Sequence, residues 1–324
     1  MDAHVKNCVL AIKDGNQLVE RLKIESCAEE LLEIHKRYPG AVWIVEASLV
    51  HEWIYDTLTE AGANVFPAHP VNILRAGDKK NDEFDAAFLV DAYLLGRLRP
   101  AYVPPKPIRA LRQLGRDRAA LVQDRTRLKN RVRSRLHRLG HKPPREETGS
   151  AWSKKHHAYL RRLNDETITR LVKLILILDE EIGLLDEQVK TSVDNDEQMK
   201  RLYTVPGIGY TTSLVLYSEI GDITRFDSPQ KLNSYFGLVP HVEQSGETTK
   251  RGHLTRKGSG LTRWVLTEAA WQHARRAPRS SLARKFKKLE KRIGKKRAII
   301  SLARNLTSVC YHILKEKRDF TMNG

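Results

Sequence analysis

Two aspartates three residues apart, Asp82 and Asp85, have the clearest potential for chemistry in this sequence. A helix brings residues at this spacing onto one face, so both carboxylates can bind the same divalent cation. Acidic pairs that only face solvent have the same spacing, so the pair alone leaves both interpretations open. Asp2 and Glu46 each adjoin a short apolar run and extend the candidate set to four carboxylates.

The segment that must position these acids alternates between strand and helix patterns. It predicts strands at residues 8–12, 18–24, 41–45 and 64–67, and helices at 27–38, 51–61 and 82–98. Residues 41–45 are continuously apolar, which is typical of a central strand covered on both faces. Glu46 follows at the carboxyl end, where open α/β sheets place their sites, although a strand-end acid that meets solvent has the same pattern. This element order is that of a ribonuclease-H-like (RuvC-like) fold without part of its first hairpin.

The charge of the chain indicates a polyanionic partner. There are 57 Lys and Arg residues against 39 Asp and Glu, a formal net charge of +18. Between Arg97 and Arg145, 16 residues are basic and only Asp117 and Asp124 oppose them. Phosphate backbones suit such a field, whereas a merely solvated helix face usually alternates its charges.

The second half of the sequence has mainly helical patterns. Residues 108–139 predict a long basic helix, followed by a turn rich in Gly and Pro near 140–149. The next helix has the spacing of a coiled-coil seam, with apolar residues at Ile168, Leu171, Ile175, Leu178, Ile182, Leu185 and Val189. Such a seam forms either an intramolecular helical hairpin or a dimer contact. The polar run 194–198 is the best candidate for a linker.

Beyond this run, two glycines in Val205-Pro206-Gly207-Ile208-Gly209 precede a predicted helix. Their bare backbone allows amide groups at a helix start to approach a phosphate, as in a helix-hairpin-helix element, although a simple turn between helices is the alternative. We then expect a polar loop from Glu243 to Gly260 that contains Ser245, and a basic helical tail.

Several classes of protein are disfavoured. The three cysteines, Cys8, Cys27 and Cys310, lack the spacing of a zinc site or a disulfide framework. The longest apolar runs fall short of the roughly 18 residues that a membrane span needs, so we expect a cytoplasmic protein with no membrane partner. We predict an α/β domain at 1–100, a basic helical and coiled-coil region at 101–193, and a mainly helical C-terminal domain at 194–324.

Several sequence blocks resemble one known family. They are Met1 to Lys6, Val45-Glu46-Ala47 and Lys79 to Ala86 in the first half, and Val205 to Gly209, Phe236 to Pro240, Gln244-Ser245-Gly246 and His253 to Arg263 in the second. Their order and residues resemble the DEDD transposases of insertion-sequence family 110, which include Piv-type DNA invertases and bridge-RNA-guided recombinases. The resemblance covers nearly the whole chain.

The resemblance implies specific roles for five residues. Asp2, Glu46, Asp82 and Asp85 would form an acidic tetrad that binds Mg²⁺ or Mn²⁺, and Ser245 would attack the scissile phosphate to form a covalent protein–DNA intermediate. Family members have a strand before their first Asp, so we expect that strand to be absent or to begin upstream of Met1.

The resemblance also implies the partners. The protein would be a transposase that cuts and rejoins double-stranded DNA, guided by a structured noncoding RNA, acting as a dimer or tetramer at the nucleoid of a bacterial or archaeal cell. A catalytically silent nucleic-acid-binding descendant and a ribonuclease-H-like junction nuclease are the alternatives. The expected nucleic-acid contacts are Arg125, Arg127, Lys129, Arg131, Arg133, Gly207, Gly209, Lys250, Arg251, Arg256, Lys257 and Arg263.

Overall fold

The structure, a computed structural model, describes the backbone of residues 1–69, 82–245, 248–255 and 258–322. Side chains are described for the same residues except 82–85 and 241–253. The chain forms two compact units, Met1–Pro104 and Pro105–Gly324.

Strands and helices of the first unit follow the order predicted from the sequence. They are β1 (Asp2–Ala3), β2 (Asn7–Asp14), β3 (Gln17–Glu25), α1 (Ala28–Arg37), β4 (Val42–Glu46), α2 (His51–Glu60), β5 (Asn64–Ala68) and α3 (Asp82–Leu94). The predicted strands and helices of this unit are confirmed, with small differences at their ends. Asp2 itself lies in a strand, the two-residue β1.

Main-chain hydrogen bonds order the strands of the first unit. β1, β2 and β3 are successive antiparallel neighbours, and β4 is parallel to β5. The amino nitrogen of Met1 donates to the Ile44 carbonyl at 2.7 Å, and the Glu46 amide donates to the Met1 carbonyl at 3.2 Å. These two bonds lie on either side of Val45 and have the hydrogen-bond pattern of two parallel strands. They link the two groups of strands in the order β3-β2-β1-β4-β5.

The central strand β4 is covered on both faces, which confirms the interpretation of its continuous apolar run. Trp43 and Val45 pack in a cluster with Leu31 of α1 and Ile54 of α2. The residue between them, Ile44, packs instead with Ala68 and Leu89, the latter from α3. Alternate residues of a strand face opposite sides, so one run supplies both layers of the core.

The second unit is helical except for one hairpin among the described residues. Its elements are α4 (Lys106–Arg138), α5 (Arg145–Thr148), α6 (Lys154–Arg162), α7 (Glu166–Asp194), α8 (Glu197–Tyr203), α9 (Tyr210–Ile220), a 3-10 turn (Ile223–Arg225), α10 (Pro229–Tyr235), β6 (Pro240–Ser245), β7 (Thr248–Leu254), α11 (Gly260–Arg276), α12 (Ser281–Ile293) and α13 (Lys295–Glu316).

The long helices α4 and α7 pack against each other within the chain. Ile168 and Ile175 of the predicted seam are fully buried in a cluster with Val132 and Leu136 of α4. Cross-helix ion pairs run in antiparallel order, Arg118 with Asp186, Arg125 with Asp179 and Arg135 with Asp165. These seam residues therefore form an intramolecular contact.

Three connections in the second unit differ in detail from the prediction. Helix α4 ends at Arg138 and a turn follows, as predicted, but the segment near 140–149 also contains the four-residue α5, and α6 comes after it. The expected polar loop that holds Ser245 is instead the antiparallel hairpin β6–β7. The polar run 194–198 is a tight junction between helices, in which the Asp196 side chain caps α8 by accepting from the amides of Gln198 and Met199. Acidic residues are good helix caps, so a polar run need not be a linker.

No helix in the described part of the chain is long and apolar enough to cross a membrane.

Candidate active-site elements and nucleic-acid interface

Asp2 and Glu46 lie side by side in the first unit. The bonds that place Met1 opposite Val45 also place Asp2 next to Glu46 in register, on strands about 4.8 Å apart. Burial lowers the pKa of the Met1 amino group to about 6, and the charges of Asp2 and Glu46 oppose that shift. Both carboxylates are thus close enough to act on one nitrogen atom.

The Asp2 side chain is only 12% exposed and lies 3.2 Å from Nε2 of His4. Glu46 is half-buried at the carboxyl end of β4. A buried carboxylate beside another carboxylate is unfavourable unless a cation or hydrogen-bond donors offset the repulsion. The two oxygen donors suit a hard divalent cation, which prefers carboxylates and retains water.

Helix α3 begins at Asp82, so Asp82 and Asp85 belong to its first turn. The side chains of both lie outside the described residues, and so do residues 79–81 of the same sequence block. One turn later, Ala86 and Leu89 are buried, and α3 contacts β1, β2 and β4. Among the described side chains, no group of three or more His, Cys, Asp or Glu is placed to hold a metal ion.

Ser245 ends strand β6, where it is paired in register with Thr248 of β7. Its side chain lies outside those described. The serine is thus placed at the far end of a hairpin that leaves the helical core at Pro240, which pairs with Leu254. β-branched Thr248 and Thr249 after Ser-Gly were a hairpin signal in the sequence.

The base of this hairpin is tightly anchored. The Thr255 amide donates to the Val239 carbonyl at 3.0 Å. Gly258 has φ +82°, and a Cβ there would lie 2.3 Å from the Tyr235 carbonyl oxygen, so no other residue fits without movement. Arg263 donates to the carbonyls of Gly258 and Phe236 at 3.1 and 3.3 Å. Arg263, which was expected to contact nucleic acid, therefore ties the hairpin to the core.

The Val205–Gly209 turn packs against helix α11. Gly207 has φ +101°, and a Cβ there would lie 2.6 Å from the Ala269 carbonyl oxygen of α11. The buried His273 contacts the Pro206 carbonyl through Nδ1 at 2.7 Å and the Ser280 hydroxyl through Nε2 at 2.9 Å. Gly207 thus permits close helix packing, whereas the exposed Gly209 is the N-cap of α9 with open space around it. Gly209 therefore presents the more exposed backbone of the two glycines.

Comparison with known proteins identifies the family. A family model described as a DEDD-type IS110 transposase matches residues 2–140, and the model of the IS116/IS110/IS902 transposase family matches 199–286. Together they contain β1 to α4, most of α8, all of α9 to α11 with the hairpin, and the start of α12. The chain belongs to the IS110-family DEDD transposases. The resemblance inferred from the sequence blocks is thereby confirmed, and the chain is an enzyme that acts on DNA.

Individual relatives agree with this family. The transposase of insertion sequence element IS1111A from Coxiella burnetii is 27% identical over 74% of this chain and 68% of its own length. An uncharacterized protein of insertion element IS116 from Streptomyces clavuligerus is 26% identical over 95% of this chain and 91% of its own. The pilin gene-inverting protein of Moraxella bovis is 30% identical over half of each chain.

The basic helix α4 of the transposase is largely engaged within the protein. Arg112 donates to the carbonyls of Ser218 and Glu219, and Arg116 pairs with the buried Glu219 carboxylate at 3.0 Å. Arg125 pairs with Asp179 of α7 at 2.7 Å. These arginines hold helices of the second unit together. The number of basic residues in the sequence therefore overstates how many are available to bind nucleic acid.

The other α4 residues expected to contact nucleic acid differ in availability. Arg127 pairs with Asp124, but both are exposed, and such pairs contribute only about 0–1 kcal/mol, so phosphate can displace the partner. Lys129 lies over the Trp152 ring, and burial lowers its pKa. Arg131 and Arg133 are exposed, and Arg133 donates only to the neutral Asn130.

The four remaining basic candidates are in or next to the hairpin in sequence. Lys250 and Arg251 belong to β7, and their side chains are outside those described; Arg256 and Lys257 lie wholly outside the described residues.

A second basic surface was not among the predicted contacts. Helices α12 and α13 expose Arg284, Lys285, Lys287, Lys288, Lys291, Arg292, Lys296 and Arg297. The opposite side of α12 buries Ala283 and Phe286. The signal was present in the sequence as a dense Lys/Arg run interrupted by apolar residues at helical spacing, which indicates a helix basic on one side only.

Proposed function

We propose that this transposase cuts and rejoins DNA as a site-specific recombinase whose catalytic centre is built on a ribonuclease-H-like first unit. The observation that carries the proposal is the register of Asp2 beside Glu46. The strand order β3-β2-β1-β4-β5 supports the fold. Helix α3, which starts with the block containing Asp82 and Asp85, packs on the strands that hold the other two acids.

Asp2, Glu46, Asp82 and Asp85 would hold one or two divalent cations, Mg²⁺ or Mn²⁺, through carboxylate oxygens. When bound, such ions stabilise the negative charge on the attacking and leaving oxygens of a phosphoryl transfer. The contribution of the chain is to collect four like charges where burial makes a cation the favourable partner.

Ser245 is the proposed nucleophile. Its hydroxyl oxygen forms a bond to the scissile phosphorus, while the bond from phosphorus to one deoxyribose oxygen breaks. The proton lost by the serine is balanced by the proton that the departing oxygen gains. The resulting phosphoserine ester retains a phosphodiester bond, so a second strand end can reverse the step without an external energy source.

The basic surfaces of the second unit suit double-stranded DNA and a structured noncoding guide RNA. The exposed residues of α12 and α13, with Arg131 and Arg133 of α4, can neutralise phosphates without breaking internal ion pairs. Guided recognition assigns the reading of sequence to base pairing, which leaves shape and phosphate contacts to the protein.

We also propose that the transposase self-associates through α7. The face of α7 that is not buried against α4 carries Leu174, Ile177 and Leu184, which are 47–57% exposed. Steps of three and seven residues put them on one side of the helix. A second copy of the chain would bury this stripe, giving the dimer or tetramer expected of the family.

A gel assay for a covalent adduct tests the catalytic proposal. Purified transposase with guide RNA, labelled DNA and Mg²⁺ should give a protein–DNA band that survives denaturation, and Ser245→Ala should abolish it without loss of RNA binding. Asp2→Asn or Asp82→Asn, or excess chelator, should abolish cleavage while binding is kept. Ser192→Ala, whose hydroxyl bonds only within its own helix, and Glu29→Gln, a first-turn acid of α1, are the matched controls.

Other outcomes would select the alternatives. Cleavage by the wild type with no adduct at any time, or an adduct that persists in Ser245→Ala, would remove Ser245 and favour a junction nuclease. Nucleic-acid binding without any cleavage in Mg²⁺ or Mn²⁺ would favour a catalytically silent binding protein.

A further inference from the structure

A cavity of about 420 Å³ opens in the second unit between the C-terminal end of α4 and the segment that contains α5 and α6. Its walls include the buried Val132 and Leu136 of α4 and the buried His156 of α6. One apolar cluster joins α4, α6 and α7 and so fixes the helices on both sides of the cavity. The cavity lining combines apolar and polar side chains, and the cavity belongs to neither the acidic residues nor the hairpin.

Trp152 forms one side of this cavity in an unusual conformation. Its φ is +71°, a left-handed value that is costly for a bulky residue and is retained only where surrounding contacts enforce it. Its amide donates to Nδ1 of His156 at 3.2 Å, which leaves the proton of the neutral imidazole on Nε2. The indole Nε1 is buried and has no hydrogen-bond partner among the described residues. The Nε2–H of His156 therefore remains as a donor at the cavity, whereas the indole nitrogen of Trp152 is enclosed by protein.

Two arginines, Arg133 and Arg145, give the lining of the cavity a positive charge. His137 and His141 also line it, and no acidic residue is among the described side chains that do so. Arg145 is exposed and makes no side-chain hydrogen bond or ion pair with any described residue, in contrast to the paired arginines along the middle of α4. Arg133 donates only to the neutral Asn130 and lies over the Trp152 ring. An anionic group at this mouth would gain partners without displacing any carboxylate.

We propose that this cavity binds a single unpaired nucleotide, with its phosphate at Arg133 and Arg145 and its base in the interior beside Trp152 and His156. The volume lies within the range of small-ligand sites. The Nε2–H of His156 can donate to a base edge, Val132 and Leu136 can contact the faces of the base, and the guanidinium groups of Arg133 and Arg145 can bind the phosphate. The inference rests on the nucleic-acid binding proposed above and adds recognition of a bulge or an extrahelical base.

The test compares the affinity of the full-length transposase for a hairpin RNA with one bulged nucleotide and for the same hairpin fully paired. Binding is measured in chelator, so that no cleavage intervenes. The wild type should bind the bulged hairpin about tenfold more tightly, which is roughly the contribution of one stacked or charge-paired base to affinity. Arg145→Ala, which removes the phosphate partner, and Ala151→Phe, which narrows the cavity and removes no charge, should both bring the ratio close to one.

Two matched variants control for charge and for steric bulk. Lys142→Ala removes one exposed charge beside the cavity but outside its lining, and Ala158→Phe adds the same ring on the exposed side of α6. Both should keep the preference of the wild type. Equal affinity of the wild type for the two hairpins, or an unchanged preference in both Arg145→Ala and Ala151→Phe, would overturn the proposal.

Further arms identify the source of the nucleotide. Competition by uridine or adenosine monophosphate that is lost in Arg145→Ala would indicate that a free nucleotide suffices, and bulge preference without such competition would assign the site to a strand. A bulged DNA hairpin shows which nucleic acid is preferred. A preparation that prefers the bulge but forms no covalent adduct would contradict the recombinase mechanism and support the cavity, so the two failures are distinguishable.

Discussion

His273 shows how much one buried polar side chain contributes to the second unit. Both ring nitrogens are engaged, one with the Pro206 carbonyl and the other with the Ser280 hydroxyl that caps α12. The Val205–Gly209 turn, the start of α12 and helix α11 are therefore joined through one imidazole. Loss of the ring leaves two polar groups unsatisfied, which costs about 1–3 kcal/mol each when they are buried.

We predict that His273 makes the stability of the protein depend on pH. Burial lowers the pKa of His273, and the hydrogen bond to Pro206 only partly opposes this. The unfolded chain therefore binds the proton first, so the stabilisation is complete above the unfolded pKa of about 6.5 and is lost as the pH falls below it. The midpoint temperature of thermal unfolding should decrease as the pH is lowered from 7.5 to 5.5. His273→Gln should have a lower midpoint than the wild type at pH 7.5, and its midpoint should change less with pH.

The control for this measurement is His137→Gln, since His137 is exposed on α4. Burial also lowers the pKa of His156 and His157, so a residual dependence of the same sign should remain in His273→Gln. An equal slope of midpoint against pH in the wild type and in His273→Gln would show that His273 stays neutral in both states.

For single residues, the sequence predicts which side chains can do chemistry better than it predicts the contacts that each of them makes. The apolar runs beside Asp2 and Glu46 indicate that both acids lie at strands, but their register is set by the main-chain hydrogen bonds of Met1 with Ile44 and Glu46. The sequence predicts that Gly207 exposes backbone to phosphate but not that its missing side chain accommodates the Ala269 carbonyl of α11, a contact between residues far apart in sequence. The role of His273 could not be predicted, because its partners become neighbours only after folding.

Helix α7 is an element with two apolar sides. One side, with Ile168 and Ile175, is buried against α4, and the other exposes Leu174, Ile177 and Leu184. Fully burying one such side chain contributes about 1.5–3 kcal/mol, so a partner that covers three of them would gain a substantial free energy of association.

We predict that the triple variant Leu174→Gln, Ile177→Gln, Leu184→Gln sediments as a smaller species than the wild type at micromolar concentration. The control Lys173→Gln, Glu180→Gln alters two exposed residues of the same helix without changing the net charge. Its sedimentation should match the wild type, and circular dichroism should show that the helices of all three proteins are intact. A wild type that sediments as a monomer would contradict self-association through α7.

The sequence predicted most elements because periodicity reports which side of a helix or strand is buried. The strands and helices of the first unit and the helices α4 and α7 were recognised from such patterns. The hairpin β6–β7 was missed because its strands are polar, which made it resemble a loop. Helices α5 and α6 were missed because Gly and Pro residues nearby dominated the local pattern.

For the molecule as a whole, the distribution of positive charge sets the binding behaviour. Between Arg284 and Arg297, Glu290 is the one acidic residue in the sequence, whereas the arginines in the middle of α4 are paired. Affinity for nucleic acid should come mainly from the exposed lysines and arginines of α12 and α13.

We predict a steep dependence of nucleic-acid affinity on salt. About 6–10 phosphate contacts would reduce affinity by roughly 10³ to 10⁵ between 50 and 200 mM salt. Lys287→Ala, Lys288→Ala should reduce the slope of log affinity against log salt by about 0.9 per lost contact with duplex DNA. The control Lys23→Ala, Lys36→Ala removes the same charge from exposed residues of the first unit and should leave the slope unchanged. Affinity that stays constant across this salt range would contradict a phosphate-based interface.

The net charge and the family were both accessible from the sequence, since the blocks around Asp2, Glu46, Asp82 and Ser245 occur in the family's order. Which cations remain available was not accessible, because a sequence does not show that Arg112 and Arg116 are bound to the end of α9.

The engagement of α4 arginines has a consequence for genetics. In a screen for loss of transposition, substitutions at Arg112, Arg116 or Arg125 would be recovered together with substitutions at exposed contacts such as Arg131. The first group would reduce the amount of intact protein in the cell, since each substitution removes a partner from a buried or half-buried carboxylate or carbonyl. The second group would leave protein abundance unchanged. Immunoblots of the mutant strains would therefore sort the two classes before any binding is measured.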